Sequence, residues 1–145
     1  MARDRRLDIL AGIETGVVAG AVMLLSFVLI APLIGHSWWL IPNLMASRVY
    51  HRGLLHPGAA TVVGSAWLLV GAGIGGAVNG LLAPNGRVFG VGIAAAAYLF
   101  SWLFIWKRLA PLMLVHAPQS LVMAGFLVYG AVLGRHSWFR ATLDH

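Results

Sequence analysis

Cysteine is missing from this sequence. That excludes disulfide staples, thiolate metal sites and cysteine-held iron–sulfur clusters. Acids are nearly missing as well: the 145 residues contain four, Asp4, Asp8, Glu14 and Asp144. General acid–base catalysis has few possible actors in such a chain. Charged residues of both signs together make up 10%, against about 25% in an ordinary soluble domain, too little to cover a water-facing surface. No nucleophile–base–acid set, phosphate loop or zinc-helix motif is present either. The cluster Gly73-Ile-Gly75-Gly76 lies inside an apolar run and reads as packing. These absences lead to the expectation of a protein that is not an enzyme and uses no cofactor.

What is there is apolar. Hydrophobic residues make up 60% of the chain, gathered into long runs. The first covers about residues 7–34, or about 42 Å of helix, and Pro32 and Gly35 end it. A signal-peptide core is only about 7–15 residues long, so this run is expected to stay as a span. The second, about 59–83, is closed by Pro84-Asn85-Gly86, a strong turn signal. The third, about 88–106, stops at Lys107 and Arg108. Pro118 suits the first turn of a fourth, about 118–134, which at about 17 residues sits at the short limit for a span. The expected fold class is all-α: one four-transmembrane-helix bundle over residues 1–145.

Between the first two spans, the segment of about 36–56 is too long for a tight turn. Pro42-Asn43 reads as a helix start and Gly53 as its end. At 100° per residue, Ser47, Arg48, His51 and Arg52 share one side, and Met45, Ala46, Val49 and Tyr50 the other, with Leu44 the exception. This predicts a short amphipathic helix in the outer interface, anchored by Trp38 and Trp39. Leu109 to Ala117 is the matching outer segment, and Arg135-His-Ser-Trp-Phe-Arg an inner anchor.

The net charge of +6 resembles a nucleic-acid signature until the charges are located. Every Lys and Arg lies in a tail or a connection, which suits membrane flanks and argues against nucleic acid as a partner. With four spans, Arg3, Arg5, Arg6, Arg87, Arg135 and Arg140 share the side of the termini, and Arg48, Arg52, Lys107 and Arg108 the other. The bias places both termini in the cytoplasm. The outer basic residues Arg48, His51, Arg52, Lys107 and Arg108 are expected to contact lipid headgroups or a partner.

Eighteen glycines are spaced rather than scattered. Gly12, Gly16 and Gly20 make two small-xxx-small steps in the first span. Gly71–Gly75 and Gly76–Gly80 follow in the second, Gly86–Gly90–Ala94 in the third, and Gly130–Gly134 in the fourth. In lipid, apolar burial does not join helices, whereas bare backbone lets them approach and gain dispersion contacts. These faces are expected either to pack one bundle or to join a second copy or a larger membrane complex.

Glu14 is the acid deepest within a span, about 10 Å from its inner end. Asn79 and Tyr129 fall at similar depth, and a polar layer of Glu14, Asn79 and Tyr129, with Thr15 nearby, is expected. His36, His51, His56 and His116 fall near the outer interface, and His136 and His145 near the inner one. None lies mid-span, which is unsuited to bis-histidine haem, and no metal site is expected.

The run Phe126-Leu-Val-Tyr-Gly-Ala-Val-Leu-Gly134 resembles the last span of small four-helix bacterial inner-membrane proteins of uncharacterised function. The glycine-rich first span and the turn Asn85-Gly-Arg-Val-Phe-Gly90 are similar too, with Phe126 where those proteins often carry histidine. The resemblance implies a bacterial inner-membrane bundle and no particular activity. Ile13-Glu14-Thr15-Gly16 is faintly similar to the first span of small multidrug transporters, whereas Ala97-Tyr98-Leu-Phe-Ser101-Trp102 only loosely echoes their third. The leading expectation is a non-catalytic membrane subunit or scaffold in contact with lipids, itself or a larger complex. The alternative is a dimeric, proton- or cation-coupled transporter with Glu14 as exchange site.

Overall fold

Pro32 and Gly35 do stop the first apolar helix, and the way they do so is visible in the hydrogen bonds. Gly35 takes a left-handed φ of 80°. Its N–H donates to the Pro32 carbonyl at 3.2 Å and the His36 N–H to the Ala31 carbonyl at 2.9 Å. That is a Schellman ending, which satisfies carbonyls the last turn would otherwise orphan. The computed structural model describes residues 5–50, 56–82 and 87–143. Every regular element within them is helical: α1 (Arg5–Leu33), α2 (Leu40–Met45), α3 (Ala59–Leu82), α4 (Arg87–Phe100), α5 (Trp106–Leu109), α6 (Pro111–His116), α7 (Gln119–Leu133) and α8 (His136–Leu143). A π-helical turn, Ser101–Ile105, joins α4 to α5.

Three stretches are long and apolar enough to cross a membrane: Arg5–Leu33, Ala59–Leu82 and Phe89–Leu109. At 15 residues, α7 is shorter, rising about 22 Å. Burial is inverted relative to a soluble protein. Leu25, Leu29, Val62, Val70, Leu99, Phe100, Phe104 and Leu127 face outward, while glycine and alanine line the contacts within. Helices that meet in lipid gain by this arrangement, because close backbones maximise dispersion.

The central helix is α1, which packs against both α3 and α7. In turn, α7 carries α4 on its far side, while α3 and α4 touch little. Phe27 of α1 fills the space left by Gly125 of α7, where a Cβ would run into its ring. Near the start of α1 lies α8, and α2 rests on α3 and α6.

The segment after α1 departs from the expected amphipathic helix. Its helix is short, Leu40–Met45, and continues only as turns. Ile41, Pro42, Asn43 and Leu44 are buried in succession, so α2 is inserted among other helices and has no free polar face. The assumed sides are partly reversed as well: Ser47 is buried and Val49 exposed. Pro42 explains the insertion, because its carbonyl sits against Gly64 of α3, where no side chain stands in the way. His51, Arg52 and Gly53 lie outside the described residues.

Candidate functional site

The seam between α1 and α3 is built from backbone. A Cβ on Gly16 would lie 2.8 Å from the Gly76 Cα, and one on Gly76 would lie 2.6 Å from the Gly16 Cα. Gly12 faces the Gly76 carbonyl, Gly80 faces the Asp8 carbonyl, and a Cβ on Gly20 would lie 2.5 Å from that of Ala72. The α3 face is therefore Ala72–Gly76–Gly80. The expected step Gly71–Gly75 is not part of it: Gly71 opens onto empty space, and a Cβ on Gly75 would lie 2.6 Å from the Tyr129 hydroxyl of α7. One residue along a helix is a rotation of about 100°, so neighbouring glycine rows serve different partners.

A second glycine seam joins α4 to α7. A Cβ on Gly90 would lie 2.8 Å from the Gly134 Cα, and one on Gly130 would lie 2.7 Å from the Ala94 Cβ. Gly86 lies outside the described residues. Toward the other end of α4 the seam changes character. Tyr98 meets Trp106 and Phe126 edge-on, with centroids 5.7 and 5.4 Å away, and Phe126 meets Tyr129 at 6.5 Å. The Tyr98 hydroxyl donates to the Gln119 side-chain oxygen at 3.1 Å. In an unbroken α-helix Tyr98 and Trp106 would point about 80° apart. The π-turn absorbs roughly one extra residue and brings them to about 20°. That rotation buries Trp106. Sequence periodicity gave no sign of it.

The polar residues do not form the expected layer. Asn79 and Tyr129 are buried. The Tyr129 hydroxyl donates to the Ala72 carbonyl at 2.7 Å, tying α7 to α3. Thr15 turns its hydroxyl onto the Ala11 carbonyl of its own helix, at 2.6 Å. Glu14 is exposed on the opposite flank of α1, so it does not join Asn79 and Tyr129. The angle between Glu14 and the glycine row is the reason: α1 turns that row toward α3, which swings Glu14 outward. Among the described residues, the buried acid is Asp8. It continues the Gly12–Gly16–Gly20 row one turn earlier, and that spacing was the signal available in the sequence.

In α2, Asn43 is buried although in the sequence it marks only a helix start. Its side-chain nitrogen donates to the His56 carbonyl at 3.0 Å, and its oxygen accepts from the Thr61 hydroxyl at 2.7 Å. The Gly58 N–H donates to that same hydroxyl at 3.0 Å. This network pins α2 to the start of α3. Nearby, the Arg48 guanidinium donates to the Arg108 carbonyl, and the side chains of Arg48, Lys107 and Arg108 stay exposed. His36, His56 and His116 are exposed as well. Among the described residues, no three of His, Asp and Glu gather as metal ligands would.

Tyr129, Tyr98 and Asn43 hydrogen-bond one element to the next, whereas Thr15 bonds within its own helix. Each such bond between membrane helices contributes about 0.6 kcal/mol on average. No family model matches this chain, and neither the curated proteins nor the solved structures provide a match.

Proposed function

We propose that this chain is a non-catalytic, four-span subunit or scaffold of the bacterial inner membrane, with both termini cytoplasmic. The observation that carries the reading is the interlocking of Gly12, Gly16 and Gly20 with Ala72, Gly76 and Gly80. The bare backbone there lets the helices touch, and the contact is satisfied within the chain. In this reading α7 is the fourth crossing. It is short for a span, but it is bounded by Pro118 and Arg135 and packs along α1. The outer cations Arg48, Lys107 and Arg108, joined by His51 and Arg52, contact lipid headgroups or a partner. The bacterial setting rests on the resemblance to small four-helix inner-membrane proteins.

Because the main glycine row is occupied by α3, assembly with other chains uses the remaining surface. In the transport alternative Glu14 is the exchange site of a dimer with Asn79 and Tyr129 beside it; here Asn79 and Tyr129 are buried and Glu14 is exposed. The test pairs Gly16→Leu with Gly71→Leu in lipid-reconstituted protein, following thermal unfolding and assembly size. Gly16→Leu is expected to destroy the fold, and Gly71→Leu to leave it unchanged. Equal tolerance of both would remove the basis for the packing role.

A further inference from the structure

No acid stands between residues 15 and 143, yet the α2 end of the bundle gathers cations. Arg48, just past α2, donates from its guanidinium to the Arg108 carbonyl, so two connections 60 residues apart are held side by side. The side chains of Arg48, Lys107 and Arg108 are all exposed there. The carboxyl furthest along α1 is Glu14, about 28 Å of helix short of Leu33. Exposed charges are screened beyond about 8 Å at physiological salt. Among the described residues, these three cations therefore have no counter-ion within reach, and the site calls for an anion from outside the chain.

What flanks the cations says which kind of anion. Val49 and Leu109, the chain neighbours of Arg48 and Arg108, are exposed and apolar, as is Phe104. Trp38 and Trp39, a ring pair in the connection before α2, suit the headgroup level. Inorganic phosphate brings nothing to such an apolar flank, whereas a phospholipid carries its own acyl chains. We propose that Arg48, Lys107 and Arg108 bind the phosphate of an anionic phospholipid, whose acyl chains lie against Val49, Phe104 and Leu109. The planar guanidinium fork matches phosphate oxygens, and Lys107 adds a point charge. Arg48 spends one N–H on the Arg108 carbonyl and keeps the rest of its five donors for the lipid. The inference rests on the reading of these cations as headgroup contacts, and it narrows their partner to one lipid class.

The test places the full chain in phosphatidylcholine bilayers carrying a minor share of phosphatidylglycerol, and counts the lipids it retains by native mass spectrometry. The parent is expected to retain phosphatidylglycerol in preference to phosphatidylcholine. Arg48→Gln, Lys107→Gln and Arg108→Gln are each expected to cut that preference about fivefold, the effect of one cation at an anionic headgroup. Lys107→Gln is the decisive variant, because Arg48→Gln also removes the bond to the Arg108 carbonyl. Excess inorganic phosphate is expected to leave the lipid in place, and displacement by it would overturn the lipid as occupant. The proposal is also overturned if the parent retains both lipids equally, or if neither Lys107→Gln nor Arg108→Gln lowers the preference. An alkaline wash of the vesicles separates this failure from that of the reading beneath it. A chain that stays in the membrane without lipid preference overturns the lipid site alone and points to an acidic partner protein. A chain that washes out overturns the membrane reading together with the site.

Discussion

The α1–α3 and α4–α7 seams both begin with glycine, but only one of them stays with it. Along α1 and α3, backbone meets backbone from Asp8–Gly80 to Gly16–Gly76, and at Gly20 the nearest atom is the Ala72 Cβ. Along α4 and α7, glycine contact covers Gly90, Gly130 and Gly134, after which Tyr98, Trp106 and Phe126 take over. At Gly12, Gly16, Gly76 and Gly80 the first seam offers only backbone, which cannot move aside. The second ends in rings that can tilt, and a π-turn that sets their phase. A backbone seam fixes helix separation, whereas an aromatic seam fills whatever separation remains.

The comparison predicts a hierarchy of damage. Gly76→Leu should have the largest effect, because its side chain has only the α1 backbone to displace. Overpacking of a tight contact costs about 1–3 kcal/mol and here should exceed that range, leaving little folded protein by size-exclusion in lipid nanodiscs. Normal yield and an unchanged Tm would break the distinction between the seams. Next comes Phe126→Ala, which removes the ring shared by Tyr98, Trp106 and Tyr129. A loss of about 3 kcal/mol is expected, with altered Trp106 fluorescence but an intact α1–α3 pair by cysteine crosslinking. Loss of that crosslink would show that the two seams fold as one.

Tyr129→Phe deletes only the bond to the Ala72 carbonyl and should cost about 0.6–1.7 kcal/mol in an unfolding titration. A greater loss would mean that this bond, and not only the close approach of Gly75 to Tyr129, holds α7 to α3. Gly71→Leu, which points into open space, should shift stability by less than about 0.5 kcal/mol. A large effect there would reveal an external partner on α3.

Much of the fold was legible because helix ends and apolar length are local properties. Pro32 and Gly35 closed α1 where the sequence placed the stop. The Gly12–Gly16–Gly20 and Gly90–Gly130–Gly134 positions lie at helix contacts. Gly71–Gly75 and Gly76–Gly80 look equivalent along the chain, yet Gly76 and Gly80 face α1, Gly75 faces Tyr129 of α7, and Gly71 opens outward. For α2, the sequence offered an amphipathic pattern, but the fit of Pro42 over Gly64 overrode it. The buried bonds of Asn43 to His56 and Thr61 join residues far apart in sequence, so no local pattern announced them.

The sequence by itself determined that the chain forms apolar helices long enough to cross a membrane, where they stop, and which of their faces carry glycine. Tertiary structure decided how each helix is rotated about its own axis. Periodicity records only angles between residues of one helix. The direction of a face in space is set by all the helix's neighbours together. Burial of Asp8, exposure of Glu14, the choice of Ala72–Gly76–Gly80 as the α1-facing row, and the rotation of Trp106 by the π-turn are all consequences of that joint fit.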